Sequence, residues 1–125
     1  MAYIRMSSTI GELAGDCRAI AVRAPRDMRT VVQKNLRAGN TLARANAERT
    51  SGNHGKLYPR AFSFEMTGAT SGEYGPDAGK PQGGMSFEGG SRNQPPHNDV
   101  AKSHDVIAPK FDRDVSALPD KWFWP

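Results

Sequence analysis

The chain is poor in the material from which hydrophobic cores are built. Leu, Ile, Val and Phe together supply 20 of 125 residues, or 16%, and 15 of the remaining apolar residues are Ala. Compositions this lean accompany disorder when net charge is high. A net charge of +4 does not force that outcome, so the expectation is one domain with a small core that neighbours complete. No apolar run approaches the roughly 18 residues of a membrane span, which predicts no membrane partner. The start of the chain lacks the charged-then-apolar signature of a secretory signal, so synthesis in a cytoplasm is expected. A single cysteine excludes an intrachain disulfide framework. Cys17 sits in an apolar helical stripe, which predicts a buried, inert thiol.

Constellations that carry chemistry are also missing. His54, His97 and His104 have no tight His/Cys spacing, so no metal site is expected. No nucleophile-elbow motif frames a serine. The glycines at 83, 84, 89 and 90 lack the Lys-Ser/Thr of a phosphate-binding loop, and Asp112 and Asp114, two apart on a helix, point in different directions. The reading is not an enzyme, with no catalytic residue and no cofactor. No zinc-finger spacing, aromatic sheet signature or basic leucine-zipper region is present either. Any DNA contact is therefore expected through backbone charge.

What the chain does contain is patterned. Thr9 and Glu12 form a capping box, and Ile10, Leu13, Ala14, Cys17, Ile20 and Ala21 recur at helical spacing, predicting a helix over 10–23. Pro25 suits the first turn of a second helix over 25–50, with Met28, Val31, Val32, Leu36, Gly39, Leu42 and Ala43 on one face and Gly52 as its C-terminal stop. Arg26, Arg29, Lys34, Arg37, Arg44 and Arg49 lie elsewhere on that helix. They read as a solvated face, or more pointedly as contacts to DNA or an acidic neighbour. From Leu57 the period shortens to two, and Phe62, Phe64 and Met66 predict a half-buried strand. Met85-Phe87 and Glu73-Tyr74 make shorter strand candidates. Eight glycines and four prolines between 68 and 97 predict short strands joined by long loops.

Asn98 or Asp99 can cap a last helix carrying Val100, His104, Ile107, Phe111, Val115 and Leu118 as one stripe, with Pro109 predicting a kink or two short helices. The fold class expected is α+β. It divides into an arm (1–8), helices (9–52), a small antiparallel sheet with loops (57–97), a kinked helix (98–118) and an aromatic tail (119–125). Trp122, Phe123 and Trp124 crowd the end of the chain, and exposed aromatics of this kind predict docking; one ring sealing the protein's own core is the other reading. Residues 1–60 carry 11 Lys/Arg against 4 Asp/Glu, and residues 61–125 carry 6 against 9. This split suits head-to-tail contact between identical copies, and it equally suits an ordinary solvated surface.

The order of elements and three segments carry a resemblance: Tyr58-Pro59-Arg60-Ala61-Phe62, Tyr74-Gly75-Pro76 in a turn, and the run from Phe87 through Gly89, Gly90, Asn93, Pro95, Pro96 and His97 to Asp99. Together they resemble the tail-completion, or head-to-tail connector, proteins of long-tailed bacteriophages, in the form common among phages of actinobacteria. The likeness covers about residues 10–118; the Trp-Phe-Trp ending is not part of it. It implies an α+β structural virion protein that forms a ring, six-fold by preference, at the phage neck and joins head to tail around the DNA channel. Implied partners are further copies, head-completion or stopper proteins, tail-terminator or tail-tube proteins, and DNA without sequence preference. Tail terminator, stopper, or a small basic DNA-binding protein are the alternatives. Predicted interface residues are Tyr74, Phe87, Trp122, Phe123 and Trp124, with Gly89, Gly90, Asn93, Pro95 and Pro96 as a turn motif.

Overall fold

A computed structural model describes residues 4–6, 9–52, 55–77, 79, 84–90 and 95–124. One helix, α1 (Ile10–Thr50), runs for 41 residues and organises everything else. A 3₁₀ turn (Pro59–Ala61) leads into β1 (Phe62–Met66), which pairs antiparallel with β2 (Gly72–Pro76). A short α2 (Gly84–Gly89), a longer α3 (Asp99–Ser116) and a closing α4 (Leu118–Phe123) follow. The architecture is helix-rich with a small two-stranded sheet, consistent with α+β.

Two helices were expected on either side of Pro25; the structure has one. Proline in a helix interior removes a hydrogen bond and costs about 3 kcal/mol. Here its flanks are held from outside. Ile20 is buried on one side, and on the other Asp27 accepts a 2.7 Å hydrogen bond from the Trp122 indole N–H. Pro25 itself is exposed, so the ring faces water and the packed side of the helix is undisturbed. The same holds at Pro109, which lies exposed inside a continuous α3; the break comes later, at Ala117. Neither predicted helix start uses its own side chain: Thr9 and Asn98 make no capping hydrogen bond. The helix ends at Ser51, in extended conformation, and Gly52 is not left-handed.

The hairpin has Phe64 opposite Tyr74 and Met66 opposite Gly72. Tyr74-Gly75-Pro76, expected as a turn, is strand; the reversal lies at 67–71, where the Thr67 amide donates to the Ser71 carbonyl at 3.0 Å. Two strands alone are marginal in water, so this pair depends on α1. The Tyr74 ring lies against Gly39, where a Cβ would come within 2.5 Å of it, and Leu36 meets Gly72. Only Phe62 of the expected strand face is buried; Phe64 is exposed. Met85 and Phe87, expected on a strand, belong to α2: two alternating positions are too few to outweigh a helical turn.

The core is small. Ala43, Ala47, Tyr58 and Phe62 form its centre, with Tyr74, Phe87 and Val100 packed round it. Alanines on α1 let the aromatics approach the helix closely.

Candidate functional site

The centre of the molecule is a polar clamp where the two ends of the fold meet. Asp99, the first residue of α3, is fully buried. Its carboxylate accepts from the Tyr58 hydroxyl at 3.1 Å and from the Thr50 hydroxyl at 2.9 and 3.0 Å. Its carbonyl accepts from the Asn46 amide at 3.1 Å. Thr50 has one proton, which goes to the carboxylate because charge-assisted bonds are the stronger. His97 Nδ1, 2.9 Å from Thr50 Oγ1, is then the donor of that pair.

A second carboxylate completes the clamp. Glu88, on α2, accepts from the Val100 amide at 3.0 and 3.1 Å and from Ala101 at 3.1 Å. These amides are among the orphan donors of a helix start, so Glu88 supplies the cap that Asn98 does not. The Tyr58 ring stacks on Phe87 at 4.6 Å, and Phe62 meets Tyr58 edge-on at 5.2 Å. Burial, reinforced by the charges of Asp99 and Glu88, pushes the Tyr58 hydroxyl well above its ordinary value, so it stays a donor. The segment preceding α3 is tied back by His97 N–H to the Phe87 carbonyl at 2.8 Å. Gly90 allows this return with φ of 81°, a conformation costly for residues with a Cβ. Such a clamp fixes where α3 leaves the hairpin. It is a positioning device.

The resemblance run is therefore part of the clamp; Asp99 was expected only as a helix cap and Tyr58 only as a motif residue, while Glu88 and Thr50 were not singled out. Of the predicted turn residues, Gly90 is left-handed, Gly89 has open space at its Cβ position, Pro95 and Pro96 are exposed, and Asn93 lies outside the described residues. Met85's backbone is helical; His54 and Gly83 lie outside the description.

Predicted interface residues separate into two groups. Tyr74 and Phe87 are engaged within the chain: the Tyr74 hydroxyl donates to Ser103 Oγ at 2.7 Å, since Ser103 gives its own proton to the Val100 carbonyl at 2.6 Å. Trp122 is half-buried on Asp27, and this bond, helped by Lys121 and Arg23, holds the Asp27 carboxyl below its usual range. Phe123 and Trp124 remain open, at 48% and 75% exposure.

All six predicted cationic residues of α1 are exposed. At 100° per residue, Arg26, Arg37 and Arg44 fall on one line facing away from the core. Arg29 and Lys34 flank it. Arg37 lies over the Phe64 ring at 6.0 Å, Arg44 pairs with Glu48 at 3.9 Å, and Arg49 donates to Asn46 Oδ1. On the packed side, Asn35 and Lys110 both donate to Asp114, at 3.0 and 2.9 Å, keeping that carboxyl below its ordinary value.

The first turns of α1 have apolar residues uncovered. Ile10 is 72% and Leu13 56% exposed, and Cys17, expected buried, is exposed too. The stripe is as the sequence predicts, but the body packs against it only from Ile20 onward. Among the described residues, no group of three or more His, Cys, Asp or Glu could hold a metal ion, and no helix is long and apolar enough to cross a membrane. No family model, curated protein or solved structure matches the chain.

Proposed function

We propose that the chain is a structural subunit of the neck of a tailed-phage virion, assembling with copies of itself into a ring that joins head to tail around the DNA channel. The observation that carries this reading is the unfinished surface: over the first two turns or so of α1, the apolar residues Ile10, Leu13 and Cys17 stay exposed. An apolar face at that period is built to be packed against. The clamp supports a scaffold role, because its carboxylates are spent on backbone amides and hydroxyls. The Arg26, Arg37 and Arg44 line supplies positive charge suited to passing DNA without reading its sequence. Neighbouring rings of head-completion, stopper, tail-terminator or tail-tube proteins are the partners of this reading, and Phe123 and Trp124 are the open aromatics suited to them.

The test is a stop codon early in the gene within a phage that carries it. The reading expects filled heads and free tails, unjoined, by electron microscopy of the lysate. Normal joined particles contradict it. The same arginine line favours a second reading, a basic DNA-binding protein of the infected cell. That reading expects tight, salt-dependent binding of duplex DNA by the isolated chain, with normal particles in the interrupted phage.

A further inference from the structure

The hairpin is a sheet with an open side. The Asp77 amide donates to the Ala61 carbonyl at 2.9 Å, and the Thr67 amide to the Ser71 carbonyl at 3.0 Å. With Phe62 opposite Pro76 and Met66 opposite Gly72, this makes Ser63 with Gly75 and Glu65 with Glu73 the bonded pairs of the ladder. Phe62, Phe64 and Met66 therefore turn their backbone groups outward along the other side of β1. The Phe62 N–H is held by the Pro59 carbonyl. Among the described residues, neither the Phe64 nor the Met66 N–H has an acceptor. The β2 side faces α3, where Tyr74 meets Ser103, whereas the β1 side lies toward Arg37. A free edge of this kind is a template for another strand, and sheets usually need three strands or more to be stable.

The side chains along this edge say what kind of strand fits. On one face Phe64 is 37% exposed and Met66 half-buried. On the other, exposed Glu65 stands directly opposite exposed Glu73, and like charges so placed weaken a ladder. Residues 61–77 contain Glu65, Glu73 and Asp77 and no Lys or Arg. The fitting strand has apolar residues two apart with a cation between them. Ile4, Arg5 and Met6 have that pattern. They stand outside any helix, Ile4 and Met6 are 84% and 89% exposed, and no carboxylate precedes Glu12 in the chain. Their own hairpin is out of reach. Phe64 lies at Arg37, about 40 Å along α1 from Ile10 at 1.5 Å per residue. The four residue steps from Met6 to Ile10 span about 14 Å at full extension.

We propose that residues 4–6 of one copy add antiparallel to the β1 edge of the next, with Ile4 opposite Met66, Arg5 opposite Glu65 and Met6 opposite Phe64. Ile4 and Met6 then exchange backbone hydrogen bonds with Met66 and Phe64, and their side chains cover the apolar face. Arg5 places a cation beside the two glutamates. The occupant is a second copy of this chain. Because arm and edge are different surfaces, the contact is head-to-tail, and such contacts repeat until they close a ring. The inference rests on the neck-ring reading and names the joint between its subunits.

The experiment uses the full chain carrying Cys17→Ser, Arg5→Cys and Glu65→Cys. Residues opposed in this way sit about 4.5 Å apart at Cα, within disulfide range. Mild oxidation is expected to give a ladder of covalent multimers on a non-reducing gel, while each single-cysteine parent stops at a dimer. Sedimentation velocity over a concentration series compares wild type with Met6→Pro, Arg5→Glu and Glu65→Arg. All three positions are exposed, so the fold is spared. Met6→Pro removes the N–H that the Phe64 carbonyl accepts, and is expected to weaken self-association about tenfold. Each charge reversal is expected to weaken it about fivefold, and both reversals in one chain restore it. Overturning results are a cross-link within one monomer or none at all, Met6→Pro assembling as wild type does, a double reversal without recovery, or a wild type monomeric throughout. The joint and the ring reading fail separately. Rings that survive Met6→Pro and form no cross-link sink the joint alone; a cross-link that stops at a two-fold dimer keeps the joint and sinks the ring.

Discussion

Replacing Tyr58 with Phe removes one oxygen from the centre of the clamp and leaves the ring that stacks on Phe87 and meets Phe62. Tyr58 and Asp99 are both fully buried, and among the described residues the hydroxyl is, with Thr50, one of two side-chain donors to the Asp99 carboxylate at 3.1 Å or less. A hydrogen bond to a charged group contributes about 1.5–3 kcal/mol net, and a buried acceptor left short of a donor lies toward the upper part of that range. The expected loss is about 2 kcal/mol, or a fall of about 8 °C in Tm for a chain of this size. Urea unfolding at one fixed protein concentration measures it, since association adds stability of its own. The slope of the transition should not change. Asp99→Asn, alone and with Tyr58→Phe, completes a double-mutant cycle, and coupling of about 1 kcal/mol or more is expected. A loss under about 0.5 kcal/mol with no coupling would refute the clamp.

Gly39→Ala and Gly11→Ala should act in opposite directions. Alanine gains about 1 kcal/mol of helix propensity over glycine, realised at Gly11 where the Cβ meets nothing; at Gly39 it strikes the Tyr74 ring, and overpacking of about 1–3 kcal/mol reverses the sign. Thermal melts of both variants check this. Glu88→Ala removes the cap of α3 and should cost about 1–2 kcal/mol, visible as faster amide exchange at Val100 and Ala101. Asp27 and Asp114 have folded-state values held below 3.8, so each contributes stability that is complete above that value and is lost as pH falls through the lowered one. Asp27→Asn with Asp114→Asn should therefore flatten the acid limb of stability against pH below about 4, with little change in slope above 6.

Much of the outline was legible from residue spacing. The helical stripes on α1 and α3 and the Phe62–Met66 strand follow from periods of 3.6 and 2, because burial of one face imposes them. Glu73-Tyr74, a weaker strand candidate than Met85-Phe87, is the true partner of β1, whereas Met85-Phe87 is helical. Pairing decides between such short segments, and pairing is not local. Pro25 misled for a related reason: its cost is local, and the support beside it comes from the hydrogen bond between Asp27 and Trp122, 95 residues apart. The clamp was out of reach. Tyr58, Thr50 and Asp99 are 41 and 49 residues apart along the chain, and each alone reads as an ordinary strand or helix-end residue. One local signal did exist, since Asp99 enters a helix with an acidic residue in the first turn. Cys17 shows the reverse failing: the stripe around it is real, but a stripe says only that a face is to be covered, and not by which molecule.

A single copy with so small a core and an exposed apolar start to α1 is expected to be incomplete on its own. Mass photometry of the purified full chain, followed by negative-stain imaging of the same sample, addresses that directly. The prediction is a discrete multi-copy species with a central opening, in exchange with monomers that melt at a lower temperature as the sample is diluted. A chain that stays monomeric at every concentration, with a Tm independent of dilution, would contradict it.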